Sequence, residues 1–288
     1  MNRNRGRDHS GWIAPLRLPL AGNPETGWQP HGLFTTTTPV LGRLSCHASV
    51  LEAGTSPHEP HGHIEEEILI MLSGQADLIV VGSGREAPGQ RITVTPGSFV
   101  YYPACHRHTL ENTGREPAVY LMFKWWTARK RSAKRELAAS VFHLDEFADD
   151  PAGDDQAGLR YRGVFGGSTG YLGRLHAHLT TVASGEGYPA HRDPHDVALV
   201  MLEGQIETLD GKAEPCDVVY CPAGSQHGLQ CCGPEPARYL VFEFAGGADR
   251  APLIRMAMNL RHRLRGPVKT LPGRAVRKLL RLAGLRRR

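Results

Sequence analysis

GTSPHEPHGHIEEEILIMLSG, residues 54–74, is the stretch on which the fold turns. It opens and closes on glycine, gathers histidines and glutamates at its centre, and runs into the apolar Ile68–Leu72. A short apolar run closed by a Ser-Gly turn signal reads as a strand, and Ala76–Val81 reads as its neighbour. The end of the stretch also recurs. Met71-Leu-Ser-Gly-Gln75 returns as Met201-Leu-Glu-Gly-Gln205, an offset of 130.

Working outward, the repeat extends in both directions. Leu41-Gly-Arg-Leu44 returns as Leu172-Gly-Arg-Leu175, and Gly54 as Gly185, at offset 131. Tyr102-Pro-Ala104 returns as Cys221-Pro-Ala223, and Glu116-Pro-Ala118 as Glu235-Pro-Ala237, at offset 119. Collinear matches of this kind mark a duplicated domain, with one deletion in the second copy between Gly204 and Pro222. Val94–Tyr102 and Val119–Trp126 are β-branched and aromatic and are flanked by Pro-Gly and Gly-Arg-Glu-Pro turn signals. Short strands between Gly/Pro turns predict a sandwich or closed barrel. With 33 glycines and 21 prolines in 288 residues, turns are favoured over long helices.

The spacing of polar residues in the first copy resembles the cupin family. That family's first motif is Gly, a gap, His-x-His, three or four residues, Glu, six residues, Gly. Here it reads Gly54, His61, His63, Glu67, Gly74. The second motif is Gly, five residues, Pro-x-Gly-x-x-His, three residues, Asn. Here it reads Gly97, Pro103, Cys105, His108, Asn112, with Cys105 in place of the inner glycine. The resemblance covers roughly residues 35–245. It implies an all-β fold of two tandem jelly-roll barrels, with a basic helical C-terminal tail added. The expected divisions are an N-terminal arm (1–34), a metal-binding first cupin (35–127), a linker (128–145), a second cupin (146–248) and the tail (249–288). The linker segment Ala128–Ala139 is basic and rich in helix formers, and reads as a solvated surface helix.

The resemblance implies metal ligation by His61, His63, Glu67 and His108. Strand parity agrees, because residues two apart face one side and Glu67 shares the parity of the two histidines. Glu65, Glu66, His58 and His106 are the neighbours that compete for these roles. On parity Glu66 should face outward, and His58 reads as loop surface. The implied cofactor is one divalent transition metal, Fe, Mn, Cu, Ni or Zn, between which donor type alone does not choose. Tyr101 is expected to wall the pocket by parity, with Tyr102 the alternative if the register slips by one. Cys105 leaves two readings open: a plain substitution in a turn, or a reactive thiol near the site.

The second copy keeps His191 and His227, but Asp193 and Val197 replace the second His and the Glu. Cys216 and Cys231 stand where the motif has Gly and Asn. Either the site is lost, or His191, Asp193 and His227 form a weaker second site, with His195 placed by parity to assist.

Charge divides the chain. Residues 251–288 carry twelve Lys/Arg and no acid, which leaves 22 basic and 29 acidic residues before them. The basic balance therefore belongs to the tail, and nucleic-acid binding is not expected. Arg274–Leu285 has the spacing of an amphipathic basic helix. It either docks on an anionic membrane surface or acidic partner, or packs on the barrels with its charges in water. There is no signal-peptide core and no spanning apolar run, so a cytoplasmic chain is expected, with attachment to the inner membrane face as the tail's contribution. The six cysteines have no zinc-finger spacing and read as free. No phosphate-binding glycine loop or nucleophile triad is present, which sets aside kinases, nicotinamide enzymes and serine hydrolases.

The expected function is a metal-dependent oxidoreductase, a dioxygenase or oxidase, acting on a small organic molecule with dioxygen. Glu67 doubles as a proton acceptor in some relatives. Two alternatives stay open: a metal-assisted isomerase or lyase on a sugar or carboxylate, and a non-enzymatic small-molecule binder. Homodimerisation through edge strands is the analogous quaternary expectation.

Overall fold

The run Ile68–Leu72 lacks alternation because the strand that contains it, Glu66–Ser73, is buried on both faces along most of its length. Ile68 and Ile70 point into one hydrophobic cluster and Leu69 and Met71 into another. A strand covered on both sides has no solvent face to mark with polar residues. The structure, a computed structural model, describes residues 10–38, 40–81, 90–127, 136–147, 154–156 and 158–246. Contacts divide the chain into one unit of residues 1–247 and another of 248–288. The basic tail lies outside the described residues.

Glu66–Ser73 sits inside a six-stranded sheet. Its order is Ser140–His143, Ser98–Tyr102, Glu66–Ser73, Ala118–Trp126, Arg43–Leu51, Trp28–Thr36. A three-stranded sheet of Gln90–Val94, Ala76–Val80 and His108–Glu111 completes the first barrel. Leu51, Leu69, Leu78, Val100, Leu110 and Tyr120 fill its interior.

The second barrel repeats the plan. Its larger sheet has the order Trp12–Ala14, Val218–Cys221, Asp196–Glu203, Ala237–Ala245, Arg174–Val182, Leu159–Gly167, Asp154–Gln156. Its smaller sheet has the order Gly187–Arg192, Gln226–Cys231, Ile206–Thr208, Gly211–Ala213. The repeat shows in its irregularities too. The pairing with the central neighbour shifts between Met71 and Ser73 in one copy and between Met201 and Glu203 in the other. A left-handed glycine follows each shift, Gly74 and Gly204, where a Cβ would come within 2.7 and 2.5 Å of the Pro117 and Pro236 carbonyls. Only glycine fits such a turn without displacing backbone.

The two large sheets share one core. Phe99, Phe123 and Trp125 from the first meet Tyr220, Phe242 and Phe244 from the second in a single buried cluster. Paired latches accompany it. Thr169 Oγ1 donates to Glu66 Oε2 at 2.7 Å, and Thr38 Oγ1 donates to Asp196 Oδ2 at 2.5 Å. In each latch a threonine from one barrel serves a buried carboxylate of the other. Glu66 thus points out of its own barrel, as parity requires, yet is fully buried between the two.

Parts of the arm and of the linker extend the sheets. Within the arm, Trp12–Ala14 pairs with Val218–Cys221 of the second barrel. Within the linker, Ser140–His143 pairs with Ser98–Tyr102 of the first. Both cover strand edges that would otherwise be open. The expected helix Ala128–Ala139 lies outside the described residues up to 135; Glu136 forms an isolated bridge to Ser168, and 137–139 are not helical. The stretch Val94–Tyr102 divides into two strands at Gly97, whose φ of 90° turns the chain. Among the described residues no helix is long and apolar enough to cross a membrane.

Candidate metal centre

Glu67 is the centre of the first barrel's polar group. It shares its face with Leu69 and Met71, points inward, and is fully buried. His63 Nε2 lies 3.0 Å from its Oε1 and His108 Nε2 2.9 Å from its Oε2. One donor atom each from His63, Glu67 and His108 falls within 4.8 Å of the others. Both Glu67 oxygens and both His63 nitrogens are buried without a well-formed hydrogen bond. Converging lone pairs that do not satisfy one another are the arrangement a cation resolves, so these residues fit a metal ion.

The neighbouring groups prepare the donors. His108 Nδ1 lies 2.8 Å from the His106 carbonyl. A carbonyl can only accept, so Nδ1 carries a proton and Nε2 is the nitrogen turned toward Glu67. His106 therefore orients the His108 ring through its backbone carbonyl. The Tyr102 ring stacks on His108 at 4.0 Å, tilted by 9°. Lys124, opposite Glu67 in the register, places its ammonium against Glu67 Oε1. Burial alone would raise the Glu67 carboxyl; the imidazoles of His108 and His63 and the Lys124 ammonium outweigh it and hold the group well below the usual carboxylate range. His47 is pushed down to about 4, first by burial and then by the Lys124 cation. Sequence motifs marked neither Lys124 nor His47, since both come from strands outside the quoted stretches.

His61 stands at the rim. It is exposed, bridges His108 through paired backbone hydrogen bonds of 3.3 and 3.1 Å, and keeps its ring 5.5 Å from that of His63. It borders the tight triad without joining it. Glu65 reaches the other side of His63, with Oε2 3.4 Å from Nδ1. Tyr101, expected as a pocket wall, faces the shared core, where it stacks on Trp125. Tyr102 takes the position beside the site, because it is Tyr102 that pairs with Glu67. The strand Ser98–Tyr102 is buried on both faces, so its composition does not reveal which tyrosine faces inward.

In the second barrel His191, Asp193 and His227 do assemble. Asp193 Oδ2 lies 3.4 Å from His191 Nε2 and 3.3 Å from His227 Nε2. Each histidine turns Nδ1 to a carbonyl, Pro189 or Ser225, at 3.2 Å. The tautomer logic is that of His108. Burial would raise Asp193, but the two imidazoles and His195 hold it well below its ordinary value. A cleft of about 560 Å³ opens beside His227, bounded by Tyr188 and Leu229. Val197, at the position of Glu67, contributes only apolar surface.

The family model described as Cupin domain matches residues 48–124. Among solved structures, the putative glyoxylate-induced protein from Pseudomonas aeruginosa aligns at 14% identity and TM-score 0.61, over 87% of this chain and 93% of that one. AerE from Microcystis aeruginosa aligns at 15% identity and TM-score 0.58, over 82% and 99%. A deletion mutant of Bacillus subtilis oxalate decarboxylase aligns at 17% identity and TM-score 0.51, over 70% and 68%. At these identities the likeness is one of fold. No curated protein sequence matches. By this match the first barrel is a cupin domain.

Proposed function

We propose that the first barrel is the active site of a metal-dependent oxidoreductase, a dioxygenase or oxidase acting on a small organic molecule. The observation that carries this reading is the buried convergence of His63, Glu67 and His108, with His61 at the rim, in which the Glu67 oxygens and His63 nitrogens have no well-formed hydrogen bond among the described residues. A bound divalent transition ion would supply open coordination positions for substrate and dioxygen. The chain's own residues set the rest. Glu67 stays anionic. His106 fixes the tautomer of His108. Tyr102 closes one side and limits water. Lys124 supplies a positive charge that favours an anionic substrate.

Lys124 also favours a second reading, a metal-assisted isomerase or lyase on a small carboxylate. Two of the fold neighbours are named for oxalate and glyoxylate, which puts small carboxylates first in a substrate screen. Proposals of lesser reach are homodimerisation through strand edges and docking of the basic tail on an anionic membrane or acidic partner.

The test is metal analysis of full-length protein purified without added metal, beside Glu67→Gln, followed by oxygen-uptake assays with small carboxylates. About one redox-active ion per chain in the first barrel, weakened more than about 100-fold in the variant, and substrate-dependent oxygen consumption are expected. Turnover without oxygen use, supported equally by zinc, would replace this reading with the lyase or isomerase. Folded protein that takes up none of these ions would sink both.

A further inference from the structure

The second barrel holds a polar group that no motif marks. His176 and His178 stand two apart on Arg174–Val182, so they share a face, while Leu175, Ala177 and Leu179 turn to the shared core. Glu243 lies directly opposite His176 on Ala237–Ala245, between core-facing Phe242 and Phe244. Parity points all three into the second barrel. His176 Nδ1 is 3.1 Å from Glu243 Oε2, and Tyr161 Oη is 3.1 Å from His176 Nε2. A donor atom from each of His176, His178 and Glu243 falls within 4.8 Å of the others.

His195 supplies an independent sign. It is only 4% exposed, its Nε2 is 3.8 Å from Glu243 Oε1, and neither ring nitrogen has a hydrogen-bond partner among the described residues. A buried imidazole aimed at a carboxylate without bonding it is costly unless something else occupies its lone pair.

The repeat locates the group relative to the first barrel. In the first barrel Glu67 pairs across the sheet with Lys124; in the second the corresponding pair is Val197 and Glu243. The carboxylate has moved one strand over. Ser45, opposite Lys124, corresponds to His176, opposite Glu243. His47 corresponds to His178.

We propose that His176, His178 and Glu243, with His195 as a fourth donor, form a second metal site in this protein. Imidazoles with one carboxylate suit a divalent first-row transition ion and not calcium or magnesium, which take oxygen donors. The site is distinct from the group formed by His191, Asp193 and His227, and it does not depend on the activity proposed for the first barrel.

The probe is Co(II), titrated into chelator-stripped full-length protein carrying His63→Ala and His108→Ala and followed by visible absorption. One equivalent should still bind and should survive the addition of His191→Ala/His227→Ala. It should be lost with His176→Ala/His178→Ala. Glu243→Gln, which keeps shape and hydrogen bonding, should weaken binding at least about tenfold. Circular dichroism and metal-free melting check the fold, and Glu243→Gln decides the matter if the double variant does not fold. The proposal is overturned if the background protein binds no Co(II), if the equivalent leaves with His191 and His227, or if Glu243→Gln binds as its parent does.

Discussion

The two barrels share a plan and differ where their interiors meet the mouth. In the first, Glu67 faces Lys124, and the imidazoles of His63 and His108 close on it. In the second, Val197 faces Glu243; Asp193 gathers His191 and His227, while Glu243 lies among His176, His178 and His195. What stays the same is what both sheets need in order to pack: the left-handed glycines, the aromatic layer and the threonine latches. Inward positions near the mouth are free of that demand. A duplicated barrel can therefore change its inward polar groups without disturbing its fold.

The comparison can be broken most directly at Val197. Val197→Glu places a second buried carboxylate directly opposite Glu243. A loss of roughly 3–5 kcal/mol in urea unfolding is expected. Adding Glu243→Lys recreates the Glu67–Lys124 pair and should recover most of that loss. If Val197→Glu alone is neutral, the barrels are not equivalent at this pair.

A smaller difference lies between His47 and its counterpart His178. Burial, then Lys124, lowers His47 from 6.5 to about 4. Its folded pKa lies below the unfolded value, so the fold binds fewer protons. Its contribution is full above about 6.5 and is lost as pH falls toward 4, by up to about 3 kcal/mol. In metal-free protein, His47→Asn should flatten that part of the stability–pH curve. An unchanged curve would mean that His47 titrates normally.

The latches should respond alike. Thr169→Val and Thr38→Val each remove a hydrogen bond to a buried carboxylate, and each should cost ~2 kcal/mol in thermal or urea unfolding. Unequal costs would show that one barrel depends on the shared face more than the other. The smallest effect concerns Cys105 and Cys216, whose φ values are 64° and 73°. Each stands where the other copy or the family motif has glycine. Cys105→Gly and Cys216→Gly should each stabilise by ~1 kcal/mol, set against the looser unfolded chain that glycine brings. Destabilisation would mean that the thiol makes contacts worth more than the strain.

Legibility followed the range of the signal. His63, Glu67 and His108 could be read because local parity and motif spacing place them. The choice between Tyr101 and Tyr102 could not, since both faces of their strand are buried and the pattern carries no period. Parity turns Glu66 outward, but its burial depends on the second barrel covering it. Lys124, His47, His176, His178 and Glu243 fit no motif; each reaches its site through pairing with a strand far along the chain.

The sequence by itself determined the duplication, the β-rich build and the residue types of the first barrel's polar group, because these rest on repeats and on the two-residue period of a strand. Only the tertiary structure decided which tyrosine lines the site, that the arm and linker extend the sheets, and that Glu243 stands across from Val197. Those facts depend on register between strands distant in sequence, which hydrogen bonding and packing of the whole barrel select and no local pattern encodes.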